Sequence, residues 1–366
     1  EYAVTSGEKF NTARFLPGRA IDIIDEAGAQ AEREGKKYKK IGKKQIAEVL
    51  AKVAKIDALA IKQDDNKNLA SLESRMKSVI YGQDRAIQTV VEAVQLSKAG
   101  LTDENKPLAS LLFVGPTGVG KTEVAKMLAQ ELGVKLVRFD MSEYVEKHTV
   151  AKLIGAPAGY VGYDDGGLLT DAVRKSPDCV LLLDEIEKAH SDIFNILLQV
   201  MDYGVLTDSK GRKAHFKNVI LIMTSNAGAQ YASQASVGFA STASAGSAML
   251  KQVKHTFKPE FINRLNEIVV FNDMDEQMAK LILGKKLREL NAKLAAKSVS
   301  ITLTDEAHQH LLKNGYSKEY GAREMDRVIQ QQLKTMLMRE ILFGKLKKGG
   351  EATVDLQNGT LTIKQS

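Results

Sequence analysis

The chain has 366 residues, 44% of them hydrophobic and 27% charged, with a formal charge of +7 from 52 basic and 45 acidic side chains. That length exceeds one ordinary core and predicts two or three domains. No stretch approaches the roughly 20 uninterrupted apolar residues of a membrane helix, no secretory leader is read, and the single cysteine, Cys179, rules out an internal disulfide. A cytosolic protein without membrane association is expected, with Cys179 as a small buried hydrophobe.

The sequence opens at Glu1 in helix-like sequence and reads as a piece of a longer protein. Apolar side chains recur at helical spacing over residues 17–33 and again near Gln45–Ile56, with no strand pattern between them. Six lysines, Lys36, Lys37, Lys39, Lys40, Lys43 and Lys44, carry much of the excess charge. Only Tyr38 accompanies them as a stacking surface, so they read as a solvated connector rather than a nucleic-acid site. After a polar stretch at Gln63–Asn68, short apolar strands at 109–114, 135–139, 179–183, 218–223 and 267–271 alternate with helices. This is the signature of a doubly wound α/β domain with a parallel sheet. From about Met274 the pattern changes: a long helix, a strand at Val299–Leu303, a helix from the N-cap Thr304 to Gly315, a helix to about Phe343, and two strands flanking Asn358-Gly359. That dipeptide is a two-residue hairpin signal, and the whole reads as a small C-terminal α+β domain.

Three strand ends carry chemistry. Gly115-Pro116-Thr117-Gly118-Val119-Gly120-Lys121-Thr122 follows the apolar run Ser110–Val114 and fills every fixed position of a phosphate-binding P-loop. Glycines let successive N–H groups face phosphate oxygens, Lys121 reaches the β- and γ-phosphates, and the Thr122 hydroxyl ligates Mg²⁺. ATP and Mg²⁺ are the expected cofactors. Val180–Leu183 ends in Asp184-Glu185: burial explains the leucines but not the acids, which suit Asp184 to hold Mg²⁺ through water and Glu185 to activate the attacking water. Leu221–Ser225 ends in Asn226, which either fixes that water or caps a turn. Arg264, just before the last strand of the sheet, and Arg323, at a helix start in the small domain, carry guanidinium groups suited to phosphoryl charge, although such an arginine alone is more often a surface ion pair.

In this order, and together with Asp140-Met141-Ser142-Glu143-Tyr144 and Gly166-Gly167-Leu168-Leu169-Thr170-Asp171, these motifs resemble the second ATPase module of the Clp/Hsp100 class of AAA+ unfoldases. The ClpA branch is the most similar, and the resemblance runs from Arg14 to about Gly350. It implies an AAA+ P-loop NTPase fold in which residues 1–57 end a first module, with Arg19 at its sensor position, 58–273 form the large ATPase subdomain and 274–366 the small one. It further implies Asn226 as sensor 1, Arg323 as sensor 2 in cis, and Arg264 as a finger entering the neighbouring site of a homo-hexamer. Val79 and Ile80, within Val79–Gln83, would line the adenine pocket. Gly159-Tyr160-Val161-Gly162 corresponds to the loop that grips substrate in the ring pore, and Tyr144–Thr149 to a second such loop. Val237-Gly238-Phe239 would dock a ClpP-type peptidase, a valine standing where isoleucine or leucine is usual. It lies in residues 227–249, an uncharged stretch of mostly Ala, Ser and Gly that is expected not to order itself.

The implied function is an ATP-dependent unfoldase that threads unfolded proteins, with adaptors, into a peptidase. No serine, histidine and aspartate set with recognisable context is present, so proteolysis would belong to the partner. A ClpB-like disaggregase shares the same engine without the docking tripeptide. A DNA-remodelling AAA+ module rests on the lysine cluster alone, and a nucleotide-gated scaffold without turnover is at odds with intact Glu185 and Arg264.

Overall fold

The computed structural model describes residues 3–4, 17–33, 41–43, 45–46, 48–49, 65–155, 166–228, 242–317 and 321–364. The lysine cluster apart from Lys43, the segment Gly159–Gly162 and the tripeptide Val237–Phe239 lie outside these residues. Among the described residues no helix is long and apolar enough to cross a membrane.

Five parallel strands form the central sheet: β1 (Ala109–Val114), β2 (Lys135–Asp140), β3 (Cys179–Asp184), β6 (Val219–Ser225) and β7 (Glu267–Val270), in the order β2-β3-β6-β1-β7. Each expected strand is present within two residues of its expected ends. Every residue of β1, β3 and β6 is buried, as parallel strands covered on both faces require. Side chains alternate between two cores. Leu112, Val114, Leu181 and Leu183 join one with Phe257 and Phe261, while Leu111, Phe113, Val180 and Leu182 join the other with Val90, Val124 and Leu128. Cys179 sits in the first core, 1% exposed, and burial pushes its thiol up to about 12. The native protein is therefore expected to resist thiol-reactive dyes at neutral pH until denaturant is added. Rapid labelling of the folded chain would contradict this packing.

A third core gathers the C-terminal residues. Helix Glu276–Ala295 packs with helices Asp305–Gly315, Ala322–Val328 and Thr335–Leu342 and with a three-stranded sheet, β8 (Val299–Leu303), β9 (Gly350–Gln357) and β10 (Thr360–Lys364), in the order β10-β9-β8. Thr304 caps its helix by accepting the Ala307 N–H. Asn358 and Gly359 both take positive φ, 50° and 76°, which is what a tight two-residue hairpin demands. At the other end of the chain, helix Gly18–Arg33 buries Ile23 and Ala27 against Ile46 and Val49.

Two elements depart from the expectations. A short hairpin, β4 (Val205–Thr207) with β5 (Lys213–His215), was not foreseen. The expectation that residues 227–249 leave no ordered structure fails for 242–249, which begin the helix Thr242–Thr256. Met249 and Val253 on that helix are 2% and 0% exposed in the sheet core, so tertiary burial supplies what local composition lacks.

Candidate functional site

Strand order brings β3, β6 and β1 side by side with parallel ends, so their C-terminal residues meet. Register sets the level of each. Phe113 pairs with Thr224 and Val114 with Ser225 on one side of β6, and Leu183 pairs with Met223 on the other. Asp184 thus stands beside Thr224, with Glu185 and Asn226 just beyond the ladders.

The loop 115–120 leaves β1 and enters helix Lys121–Glu131 at Gly120, whose φ of 106° no side-chain-bearing residue adopts readily. Lys121 is 8% exposed and folds back into the loop. Its ammonium donates to the carbonyls of Gly115 at 2.6 Å and Pro116 at 2.8 Å and to Asn226 Oδ1 at 2.8 Å. Burial pushes this ammonium down to about 8, and the nearby acids Glu187, Asp184 and Glu185 oppose that shift while Arg323 adds to it. Lys121 is thus a desolvated cation ringed by acceptors, the state in which it is worth most to an incoming phosphate.

Asp184 is 7% exposed and fully engaged. Its Oδ1 accepts from the Thr224 hydroxyl at 2.5 Å, and its Oδ2 meets the Arg138 guanidinium at 2.7 Å and the Thr122 hydroxyl at 3.5 Å. The Thr224 hydroxyl in turn accepts the Glu185 N–H at 3.0 Å, so one threonine fixes both acids. Glu185 takes φ 56° and ψ 51°, a left-handed conformation that costs a residue of this kind about 1–3 kcal/mol. Its carboxylate is held by Lys188 at 2.5 Å. Thr224, Arg138 and Lys188 were not foreseen. Arg138 is one cation in an edge strand, and Thr224 acquires its role only through register.

No group of three or more metal-ligating side chains gathers among the described residues. Mg²⁺ nonetheless fits the Thr122 hydroxyl and Asp184 carboxylate, because this ion takes one or two protein oxygens and completes its shell with phosphates and water.

Val79 ends the helix Asp65–Val79 and Ile80 follows it, and the turn beyond is tied to the P-loop by Gln83. That amide is fully buried. It donates to the carbonyls of Val119 at 3.3 Å and Asn272 at 3.0 Å and accepts the Asn272 N–H at 2.9 Å. The small domain covers the same turn: Lys285 donates to the Val79 carbonyl at 3.3 Å. It also touches the phosphate loop, since the Ala322 N–H donates to the Gly118 carbonyl at 3.1 Å. Gly321, at φ 57°, allows that approach, because a Cβ there would lie 2.7 Å from the Thr117 carbonyl oxygen and 2.8 Å from the Gly118 carbonyl carbon. Arg323 is exposed at the first turn of this helix and close enough to depress the Lys121 ammonium.

Arg264 stands apart from this constellation. It follows the short helix Pro259–Ile262, is 35% exposed at its side chain, and donates through Nε to both oxygens of Asp202 at 2.7 Å and through a terminal nitrogen to the Glu260 carbonyl at 2.7 Å. Tyr144 is 5% exposed and packs in the sheet core, so only Val145–His148 of the expected second loop are open to solvent.

Comparison with known proteins agrees with this geometry. Residues 106–268 match the family described as AAA domain (Cdc48 subfamily), residues 274–354 match the C-terminal, D2-small domain of ClpB protein, and residues 1–77 match an AAA lid domain. The chain is 48% identical over 363 residues to the ClpA homolog protein of Fuscovulum blasticum, covering 99% of this chain and 46% of that protein. It is 42% identical over 349 residues to the chaperone protein ClpB of Bdellovibrio bacteriovorus, covering 94% of this chain and 40% of that protein. The chain therefore spans less than half the length of these curated relatives. A solved structure described as "Closed State CryoEM Reconstruction of Hsp104:ATPyS and FITC casein" superposes with a TM-score of 0.81 at 35% identity, covering 99% of this chain and 63% of that one. With the P-loop, the paired acids and the capping small domain all in place, the chain belongs to the AAA+ ATPases of the Clp/Hsp100 class.

Proposed function

We propose that this chain is the second ATPase module of a cytosolic, hexameric protein unfoldase that threads unfolded polypeptides through a pore lined by Tyr160 and passes them to a ClpP-type peptidase. In this reading residues 1–57 end a first module, 58–273 are the large ATPase subdomain and 274–366 the small one.

The chemistry follows from the side chains at the strand ends. When bound, Mg²⁺-ATP supplies the phosphoanhydride whose cleavage drives the cycle. The 115–122 loop N–H groups and the Lys121 ammonium bind phosphate, with Thr122 and Asp184 as the residues that hold the cation. The Glu185 carboxylate takes a proton from the attacking water, and the Asn226 amide orients it. Arg264 enters the neighbouring subunit's site, which is consistent with its place away from its own phosphate loop. Arg323, carried by the small domain, reads the state of the nucleotide and moves that domain against the large one.

Coupling to a peptidase rests on one observation: the likeness to a ClpA homolog at 48% identity over nearly the whole chain, in a sequence that carries Val237-Gly238-Phe239 where a docking loop is expected. A disaggregase reading draws on the ClpB small-domain match and the Hsp104 likeness. The two part in one experiment, ATP-dependent binding of the full-length protein to its cognate ClpP-type peptidase with and without the tripeptide. Binding that disappears on deletion is expected, and no binding by the intact protein would favour the disaggregase.

A further inference from the structure

The ladder between β6 and β1 ends at Ser225, and that between β6 and β3 ends at Met223. The Asn226 N–H lies beyond both and needs another acceptor. It finds one in the Glu187 carboxylate, whose Oε1 accepts it at 3.0 Å. Glu187 belongs to the tight turn Ile186–Lys188 that follows β3. That turn is rigid: Ile186 is 0% exposed in the core, the Lys188 N–H donates to the Glu185 carbonyl at 2.9 Å, and the Ala189 N–H donates to the Ile186 carbonyl at 3.1 Å. Glu187 therefore bridges the end of β3 to the end of β6. On its far side Asn226 accepts from Lys121 at 2.8 Å, so a continuous path runs from turn to sensor amide to phosphate-binding ammonium. The second carboxylate oxygen, Oε2, is buried without a hydrogen-bond partner among the described residues. Keeping such an atom is unfavourable, and a solvent-facing carboxylate would avoid it.

We infer that Glu187 is a positioning residue for ATP hydrolysis, which pins the backbone of Asn226 and so holds its amide at the phosphate end of the site. This rests on the reading of Asn226 as the group that orients the attacking water. In this inference Glu187 acts through the Asn226 N–H that its carboxylate accepts. A carboxylate in the turn after β3 thereby sets the aim of a side chain on a different strand, and a small displacement at that point is costly because in-line attack tolerates little misalignment.

The test uses the full-length protein with Asn226→Ala, Glu187→Ala, Glu187→Asp, Glu187→Gln and the double alanine variant. The readouts are kcat, KM for ATP, affinity for a fluorescent ATP analogue, and thermal melting. Asn226→Ala and Glu187→Ala are each expected to lower kcat by about 10²-fold while analogue affinity holds. Their combination should be no more than about twofold slower than the slower single variant, because both remove one function. Glu187→Gln keeps an acceptor oxygen and should restore most of kcat. Glu187→Asp, one methylene short, should behave like the alanine variant and serves in its place if that variant does not fold. Wild-type turnover in Glu187→Ala or Glu187→Asp beside a slow Asn226→Ala would overturn the inference alone. Losses that multiply in the double variant would overturn it too, as would Glu187→Gln as slow as Glu187→Ala. Wild-type turnover in Asn226→Ala would instead remove the reading on which the inference depends.

Discussion

Glu185→Gln should leave nucleotide binding intact and lower ATP turnover by about 10²–10⁴-fold, the range that a lost general base produces. The substitution preserves shape and hydrogen-bond acceptance but removes the ability to take a proton. The backbone of residue 185 is positioned without its side chain: its N–H is fixed by the Thr224 hydroxyl, and the left-handed conformation lies in the turn between Asp184 and the buried Ile186. The glutamine should therefore occupy the place of the glutamate, and binding of a fluorescent ATP analogue to the full-length protein should be unchanged. Lys188 loses its ionic partner in the variant, but that pair is half exposed at the lysine and contributes little to stability. Turnover within a fewfold of wild type would remove Glu185 from the mechanism.

Arg264→Ala should be as severe in the assembled protein, a loss of about 10³–10⁵-fold, because an arginine finger carries transition-state charge that no other group replaces. The guanidinium is already organised at the surface. Asp202 grips Nε, the Glu260 carbonyl takes a terminal nitrogen, and Phe261 anchors the short helix in the core. Its hydrogen bonds go to Asp202 and Glu260 and to no residue of its own phosphate loop among those described, which makes the prediction specific to an interface. Mixing Arg264→Ala subunits with Glu185→Gln subunits should restore part of the turnover. An interface that draws Glu185 from the first and Arg264 from the second is complete. No restoration in mixed assemblies, with each variant inactive alone, would place Arg264 in its own subunit's site or in folding.

The sheet was legible because buried parallel strands are written as continuous apolar runs, and Leu111–Val114, Val180–Leu183 and Ile220–Met223 admit few other readings. The phosphate site was legible because its chemistry is local: glycines, a lysine and a threonine within eight consecutive positions, 115–122. What escaped notice depends on partners distant in the chain. Thr224 looks like the polar end of a strand until register sets it against Asp184, 40 positions away. Arg138 is an exposed position of an edge strand, where a charge needs no partner, and Glu187 lies in a charged turn, Glu185–Lys188, that reads as solvated. The β4–β5 hairpin has strands of three residues each and a polar tip, too short for a periodic signal. The helix Thr242–Thr256 hides for the opposite reason, since its first half is Thr, Ala, Ser and Gly, while Met249 and Val253 mark the buried face. In the small domain, the helical run after Ala322 contains a π-helical segment, Ile329–Lys334, that shifts the apolar phase and cannot be placed from spacing alone.

The hydrogen bond from the Ala322 N–H to the Gly118 carbonyl makes the phosphate loop part of the seat on which the small domain rests. Loop geometry and domain tilt are then two coordinates of one equilibrium, and linkage runs in both directions with the same coupling free energy. If phosphate draws the small domain down, tension that lifts the small domain must weaken the grip on phosphate by an equal factor. On that condition, mechanical load on the small domain would favour nucleotide release without a separate sensor for force.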